Sequence, residues 1–461
     1  MEICKTSLFK RISEHPLIFV FSLALLARLV TATIVAIFYD SCLFADDCGY
    51  LTVLKIHTEG RPEELWTPDM SKYWNIHIAF YYPAFLLSKI FGFQLFIPQL
   101  LSVIAGSLIP LSVTAILKNH TSLKIAILCG AVCSLWPSQV LWSSIFLRDS
   151  ASWTGLISIA LIILYWTKAK SIKGILFGGL LLALVSLYLG HIRSHTLVTA
   201  LIAVLIAVLI SVSLTSRAKH FGRVSIAFLC FLFIPLISNV GIAGSELLSL
   251  NDFATQRAAG AVEASTSLVG PAIKYHRDLD SDCFDATGYE FSGMPDPNFE
   301  YGPEFDGYLQ AIETCRLKPD EIPEAPDNSW VAHIKYLPTG LRIMLIDPLP
   351  NQLHKSNSLI LPFLENIIWY PVLLFALYGS SYLSKRNTET LYVALTVMGL
   401  ATTWGLIEGN FGTAFRHRGE LFWGVIIFAG LGLDKFLKKK SNRKIEREKI
   451  STSSKQKPDQ F

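Results

Sequence analysis

Long apolar stretches alternate with short polar ones along most of the chain. Runs at 17–38, 95–117, 124–142, 151–167, 174–190, 195–214, 224–243, 359–383, 390–408 and 419–434 are apolar throughout, without the charged face of a surface helix. At 1.5 Å per residue most of them reach across about 30 Å of hydrocarbon. The pattern predicts an all-α polytopic membrane protein with about ten transmembrane helices. Two long segments interrupt it. The first, 39–94, contains the amphipathic stretch Ile76 to Phe91, whose aromatics and Lys89 suit a helix lying in the membrane interface. The second, 244–358, is rich in Pro and Gly and carries 18 acidic against 8 basic residues, so it reads as an extracytoplasmic loop domain. The expected divisions are therefore a membrane region 1–243, the loop domain 244–358, a second membrane region 359–434 and a basic tail 435–461.

Composition agrees, with 52% apolar and 16% charged residues against about a quarter charged in a soluble domain. The net charge of +4 matters less than where the positive residues fall. Threading ten spans with the amino terminus inside puts Lys5, Lys10, Arg11, Lys118, Lys124, Lys168, Lys170, Lys173, Arg217, Lys219, Arg223, Lys385, Arg386 and the run from Lys435 to Lys440 on one side. That is the positive-inside pattern, and one span more or fewer would break it. Both termini are then cytoplasmic, and an inner (plasma) membrane of a bacterium is the expected location. The run 17–38 is too long for a cleaved signal sequence and reads as a retained first span. From Ser441 the polar tail is expected to be disordered and to touch anionic lipid. Of eight cysteines, Cys129, Cys133 and Cys230 fall in apolar runs as small hydrophobes, whereas Cys42, Cys48, Cys283 and Cys315 would face outward, with Cys283 to Cys315 the favoured pair. No cluster has zinc spacing, and no metal ligands are assigned.

Chemistry concentrates in the outer turns. Phe44-Ala45-Asp46-Asp47-Cys48-Gly49-Tyr50 places two carboxylates beyond the first span, and in a helix Asp46 and Tyr50 share a face. A partly desolvated carboxylate there could take a proton from a hydroxyl; equally it could cap a helix. Trp136-Pro137-Ser138 and Arg148-Asp149 follow the third span, Arg148 being a candidate phosphate ligand oriented by Asp149 or one half of an interfacial salt bridge. His191-Ile192-Arg193-Ser194-His195 puts cations on the outer side, where either an anionic headgroup or the acidic loop could balance Arg193. Arg416-His417-Arg418 precedes the last span, and planar guanidinium groups at that depth suit bidentate contact with phosphate. Glu365 and Arg28 are ionisable groups inside apolar runs, which need a cavity or a partner. Arg28 is read as structural, and Glu365 is left open as a supporting residue. No nucleotide loop, Rossmann fingerprint or H-E-x-x-H occurs, so neither an ATP-driven pump nor a zinc protease has local support.

The order of an inward amino terminus, a first span containing Arg28, Asp46-Asp47-x-x-Tyr50, an interfacial segment and a second span resembles the GT-C glycosyltransferases, similar to the protein O-mannosyltransferases and aminoarabinose transferases. The family carries an Asp-Glu pair in its first outer loop; here Asp47 replaces Glu, which leaves open which carboxylate is the base. The resemblance implies transfer of a sugar, with inversion, from a polyprenyl-phosphate donor to a glycan, lipid or protein acceptor at the outer face. It gives Asp46 and Asp47 the catalytic role, Arg416, Arg418, His417, Arg148 and Arg193 the donor phosphate, and Tyr50, Asp149, His191, His195 and Glu365 supporting roles. Membrane lipids are the other expected partners, nucleic acid is not one, and a divalent cation (Mg or Mn) stays open as cofactor. Two rival functions remain: a polysaccharide polymerase or ligase, and a flippase or transporter of lipid-linked sugars with Arg28 and Glu365 along its path.

Overall fold

A computed structural model of the chain describes residues 12–39, 43, 45–61, 74, 78–94, 96–213, 330–355, 359–385, 387–407 and 411–455. The regular elements among them are helices: α1 (Pro16–Phe38), α2 (Ala45–Glu59), α3 (Ile78–Phe91), α4 (Phe96–Leu117), α5 (Leu123–Leu135), α6 (Pro137–Trp142), α7 (Asp149–Trp166), α8 (Ile172–Gly190), α9 (Ser194–Ser213), α10 (Trp330–Leu345), α11 (Ile360–Gly379), α12 (Thr388–Ile407) and α13 (Phe411–Lys455). Every expected span except 224–243, which lies outside the described residues, coincides with helix. Five helical segments are long and apolar enough to cross a bilayer: α1, α4, α7, α8 and Ile360–Leu383, which is α11 with the turn that follows it. α3, α5 and most of α9 are shorter and equally apolar. The chain is an integral membrane protein with the all-α fold that its sequence suggests. The second half of the loop domain, expected to end at 358, contains α10; its earlier part and the Cys283–Cys315 pairing lie outside the described residues.

Two expectations are corrected. The third run, 124–142, is not one helix, because Pro137 cannot donate a backbone hydrogen bond and pushes Trp136 out of helical geometry (φ −65°, ψ 119°). α5 therefore ends at Leu135, and α6 restarts with Pro137 in its first turn. The tail is not irregular from Ser441 but continues α13 to Lys455. Lys, Arg and Glu are good helix formers, and a helix already nucleated in the bilayer extends at little cost. The Asp434–Lys438 pair (2.6 Å) stands on the turn where it leaves the apolar part.

α11 and α13 cross closely, α1 packs on α4, α7 on α4 and α8, and α12 on α9 and α10. At the α11–α13 crossing a Cβ on Gly379 would stand 2.0 Å from the Phe428 carbonyl oxygen, and one on Gly432 the same distance from that of Phe375. Only glycine allows backbones this close, which is how helices gain contact where no hydrophobic effect drives them together. Side chains facing neither lipid nor a loop form the core, from Trp153 and Leu156 on α7 to Trp423 and Ile427 on α13.

The bundle has two chemically different ends. At one, the loops bearing the expected inside charges meet: Ser122 N–H donates to Asp434 (3.0 Å), Lys168 to Asn119 (3.2 Å), and Lys435 to Ser381 (2.7 Å), while His120 lies 3.1 Å from Glu389. The other end gathers α2, α3, the start of α7, the α8–α9 turn and the start of α13. It holds the remaining ionic chemistry.

Candidate functional site

The centre of that end is Arg193, which the short α8–α9 turn drops between helices. Its Nη2 donates to Asp149 Oδ1 at 2.7 Å, and its Nη1 donates to Glu420 Oε1. All three side chains are buried. Asp149 is the first residue of α7, so the helix dipole also favours its negative charge. Burial alone would lower the Arg193 pKa, but Asp149 and Glu420 more than reverse this and leave it raised. Stability from a raised pKa is lost only as pH climbs through the folded value, so this brace stays charged across the working range.

A second layer surrounds it. Arg416 Nε stands 3.7 Å from Asp149 Oδ1, and its side chain keeps 18% of its surface exposed where Arg193 keeps 1%. Glu420 Oε2 accepts from the Trp404 indole N–H at 2.9 Å. The indole lies face to face with His417 (3.5 Å between ring centres, 17°) and meets His195 edge-on at 5.2 Å. Arg148 donates weakly to the Ile192 carbonyl (3.4 Å) and lies 6.0 Å from the Tyr50 ring, which itself packs on Phe80 and Tyr81 of α3. Thus Arg148, Asp149, Arg193, His195, Arg416, His417 and Tyr50 form one neighbourhood, and His191 lies half-buried on its connecting turn.

Arg418 goes elsewhere. The sequence suggests that Arg416 and Arg418 flank His417 in a stretch before the last span, but the helix already begins at Phe411. Two residues along a helix is a rotation of about 200°, so the two guanidinium groups leave opposite faces. Arg418 is buried and fully partnered: Nε donates to Met344 O (2.7 Å), Nη1 to Asn366 Oδ1 (2.6 Å) and Nη2 to Asp347 O (2.6 Å), with the Trp369 and Phe415 rings 5.5 Å away. It fastens α13 to α11 and to the end of α10.

Glu365 and Arg28 occupy separate sockets. Glu365 accepts from the Trp136 indole (3.0 Å) and from the Ser138 backbone N–H, closing the break between α5 and α6. Arg28 donates to Ser143 Oγ (2.7 Å) and to the Ala24 and Ser134 carbonyls (3.2 Å each), in a notch where a Cβ on Gly106 would collide with Ser143. Each charge is thus met locally.

Asp46 and Asp47 fall in the first turn of α2. Asp47 is buried and its Oδ2 accepts the Leu43 N–H at 3.1 Å, as an acid in a first helical turn does when it reaches back to the entering chain. The side chain of Asp46 lies outside the described residues. Cys48 is disulfide-bonded, and Cys129 and Cys133 are free. Among the described residues no group of three or more His, Cys, Asp or Glu side chains is gathered as metal ligands, and Asp149 and Glu420 are taken up by Arg193.

Reading the sequence missed Glu420 and Trp404. Glu420 carries the same signal as Glu365, an ionisable residue beside an apolar run, and could have been found by it. Trp404 has no such signal, because one Trp among many apolar residues looks like core.

No family model and no curated protein matches this sequence. Among solved structures, the archaeal oligosaccharyltransferase AglB from Archaeoglobus fulgidus, in complex with an inhibitory peptide and a dolichol-phosphate, is similar in fold, with a TM-score of 0.51 and 11% sequence identity. The match covers 95% of this chain and 52% of that one, so the present chain spans about half the length of the archaeal protein.

Proposed function

We propose that the chain is a membrane glycosyltransferase that moves a sugar from a polyprenyl-phosphate donor to an acceptor hydroxyl at the outer face. The observation that carries this reading is the partly exposed Arg416 set over a buried, carboxylate-braced Arg193, at the end of the bundle that also holds the Asp46–Asp47 helix. Similarity of fold to an enzyme solved with dolichol-phosphate supports the same class of lipid-linked donor.

In this reading the acceptor oxygen attacks the anomeric carbon as the carbon–oxygen bond to phosphate breaks, and the bonding pair leaves with the lipid phosphate. The hydroxyl proton passes to Asp46. Asp47 shapes the entry to α2. Arg416, with Arg148 at the rim, holds the phosphate and offsets its growing charge, while His417 donates a hydrogen bond or proton to it. Arg193 acts through Asp149 and Glu420, and Arg418 and Glu365 serve the scaffold. The products are the glycosylated acceptor and free polyprenyl phosphate.

Arg416→Ala should weaken binding of polyprenyl phosphate to the purified protein by roughly 10- to 100-fold, as expected for losing a charged hydrogen-bond donor. Arg61→Ala, which removes an exposed cation at the end of α2, should change it less than about twofold. Equal losses in the two variants would mean that only bulk positive charge matters, and the assignment of Arg416 would be withdrawn.

A further inference from the structure

We propose that the acceptor is a lipid whose hydrocarbon tail lies in an apolar groove between α3, α4, α7 and α8; this rests on the reading that the protein transfers a sugar, and it names the acceptor class. The groove has a volume of about 300 Å³. Pro83, Ile104 and Leu108 are its exposed members, on the outside of the helix bundle, and Phe80 and Ala151 are its buried ones. It is thus open from the side on which lipid lies. Among the described residues that line it none is charged, and Ser102 and Thr154 donate their hydroxyl hydrogens to the carbonyls of Leu147 (3.3 Å) and Ala105 (2.6 Å). The walls are left chiefly hydrocarbon. At roughly twice the size of an apolar cavity that holds benzene, the groove takes a tail segment of about ten carbon atoms.

Two features give this groove to the acceptor. Phe80 and Ala151 belong to the apolar cluster that seats α2, and Phe80 meets the Tyr50 ring edge-on at 5.8 Å. Tyr50 stands one helical turn after Asp46, so a tail in the groove ends near the helix that carries the proposed base. The second feature is that α7 separates the groove from Arg416. Asp149, beside Arg416, and Trp153, packed on Gly419, face α13. Ala151 and Thr154, at about 200° and 140° from Asp149 around the helix, face the groove instead. An isoprenoid joined to a phosphate at Arg416 would have to cross the start of α7 to reach it. Attack on the anomeric carbon comes from the side opposite the breaking bond, so acceptor and departing phosphate must flank the sugar. A groove and an arginine on opposite sides of one helix meet that requirement. Because lipid tails are as apolar as these walls, close packing alone holds the tail, and filling the groove should release it.

The test uses the full-length protein in phosphatidylcholine nanodiscs and, as probe, dodecanol with a photoactivatable diazirine on its chain. Cross-links mapped by mass spectrometry should concentrate on residues 79–83 and 101–108, about tenfold above those from phosphatidylcholine carrying the same group. Saturating polyprenyl phosphate should leave them in place. Ala105→Phe, which fills the groove, should reduce this labelling about tenfold and raise KM for the acceptor by a similar factor, with KM for the donor within about twofold. Should Ala105→Phe fail to fold, Leu108→Trp at the exposed mouth supplies the same block. Labelling no denser than that of phosphatidylcholine would make the groove ordinary lipid-facing surface and overturn the proposal. Labelling displaced by polyprenyl phosphate, or a filled groove that raises KM for the donor and not for the acceptor, would give the groove to the donor and overturn it as well. Selective labelling that survives polyprenyl phosphate in a protein that transfers no sugar would keep the tail site and sink the proposed function instead.

Discussion

Replacing Arg193 by methionine is expected to destabilise the protein by about 3–5 kcal/mol, because it removes the cation that forks between Asp149 and Glu420 and leaves these buried carboxylates with only Arg416, at 3.7 Å from Asp149, as counter-ion. Both carboxylates are at most 1% exposed, so water cannot take over. Arg193→Lys should recover only part of the loss, since a single ammonium cannot fork to two carboxylates on different helices as the guanidinium does. The triple change Arg193→Met, Asp149→Asn, Glu420→Gln should recover most of the stability, because no buried charge is left unmatched. It should not recover activity, since Arg416 would lose the negative charge of Asp149 beside it. Thermal unfolding in detergent, followed by tryptophan fluorescence, checks the series. An Arg193→Met protein as stable as the wild type would show that the network does not brace the bundle.

Asp46→Asn is expected to lower kcat by about 10²- to 10⁴-fold with donor binding unchanged, the effect of losing a general base. Asp47→Asn should cost far less. Its amide oxygen can still accept the Leu43 N–H, so the entry to α2 survives. Asp47→Ala removes that acceptor and should destabilise by about 1 kcal/mol, as does loss of a helix cap. Steady-state transfer rates of the three variants, beside their melting temperatures, separate the two acids. If Asp47→Asn were the inactive variant and Asp46→Asn active, the roles would be exchanged; full activity in both would remove the base from this helix.

The membrane-spanning helices were legible because they depend on long apolar runs, a local property of the sequence. The break at Pro137 was legible too, had the proline been given priority over the apolar run. The site was legible only in part. Outer-turn motifs pointed to Arg148, Asp149, Arg193, Arg416 and His417, and these do meet. Their pairing was hidden, since Asp149, Arg193 and Glu420 come together from positions more than 40 and more than 220 residues apart. Arg416 and Arg418 looked equivalent until the start of α13 at Phe411 set them on opposite faces. Where a helix begins decides which faces two neighbouring arginines take.

The most direct measurement is to incubate the purified protein in detergent with a polyprenyl-phosphate-linked sugar and a hydroxyl acceptor, with no bilayer and no ion gradient, and to follow free polyprenyl phosphate. The account predicts its release in step with glycosylated acceptor, abolished by Asp46→Asn and weakened by Arg416→Ala. Donor that stays intact under these conditions, yet crosses the bilayer when the protein is reconstituted in vesicles, would contradict it and make the protein a carrier of lipid-linked sugar.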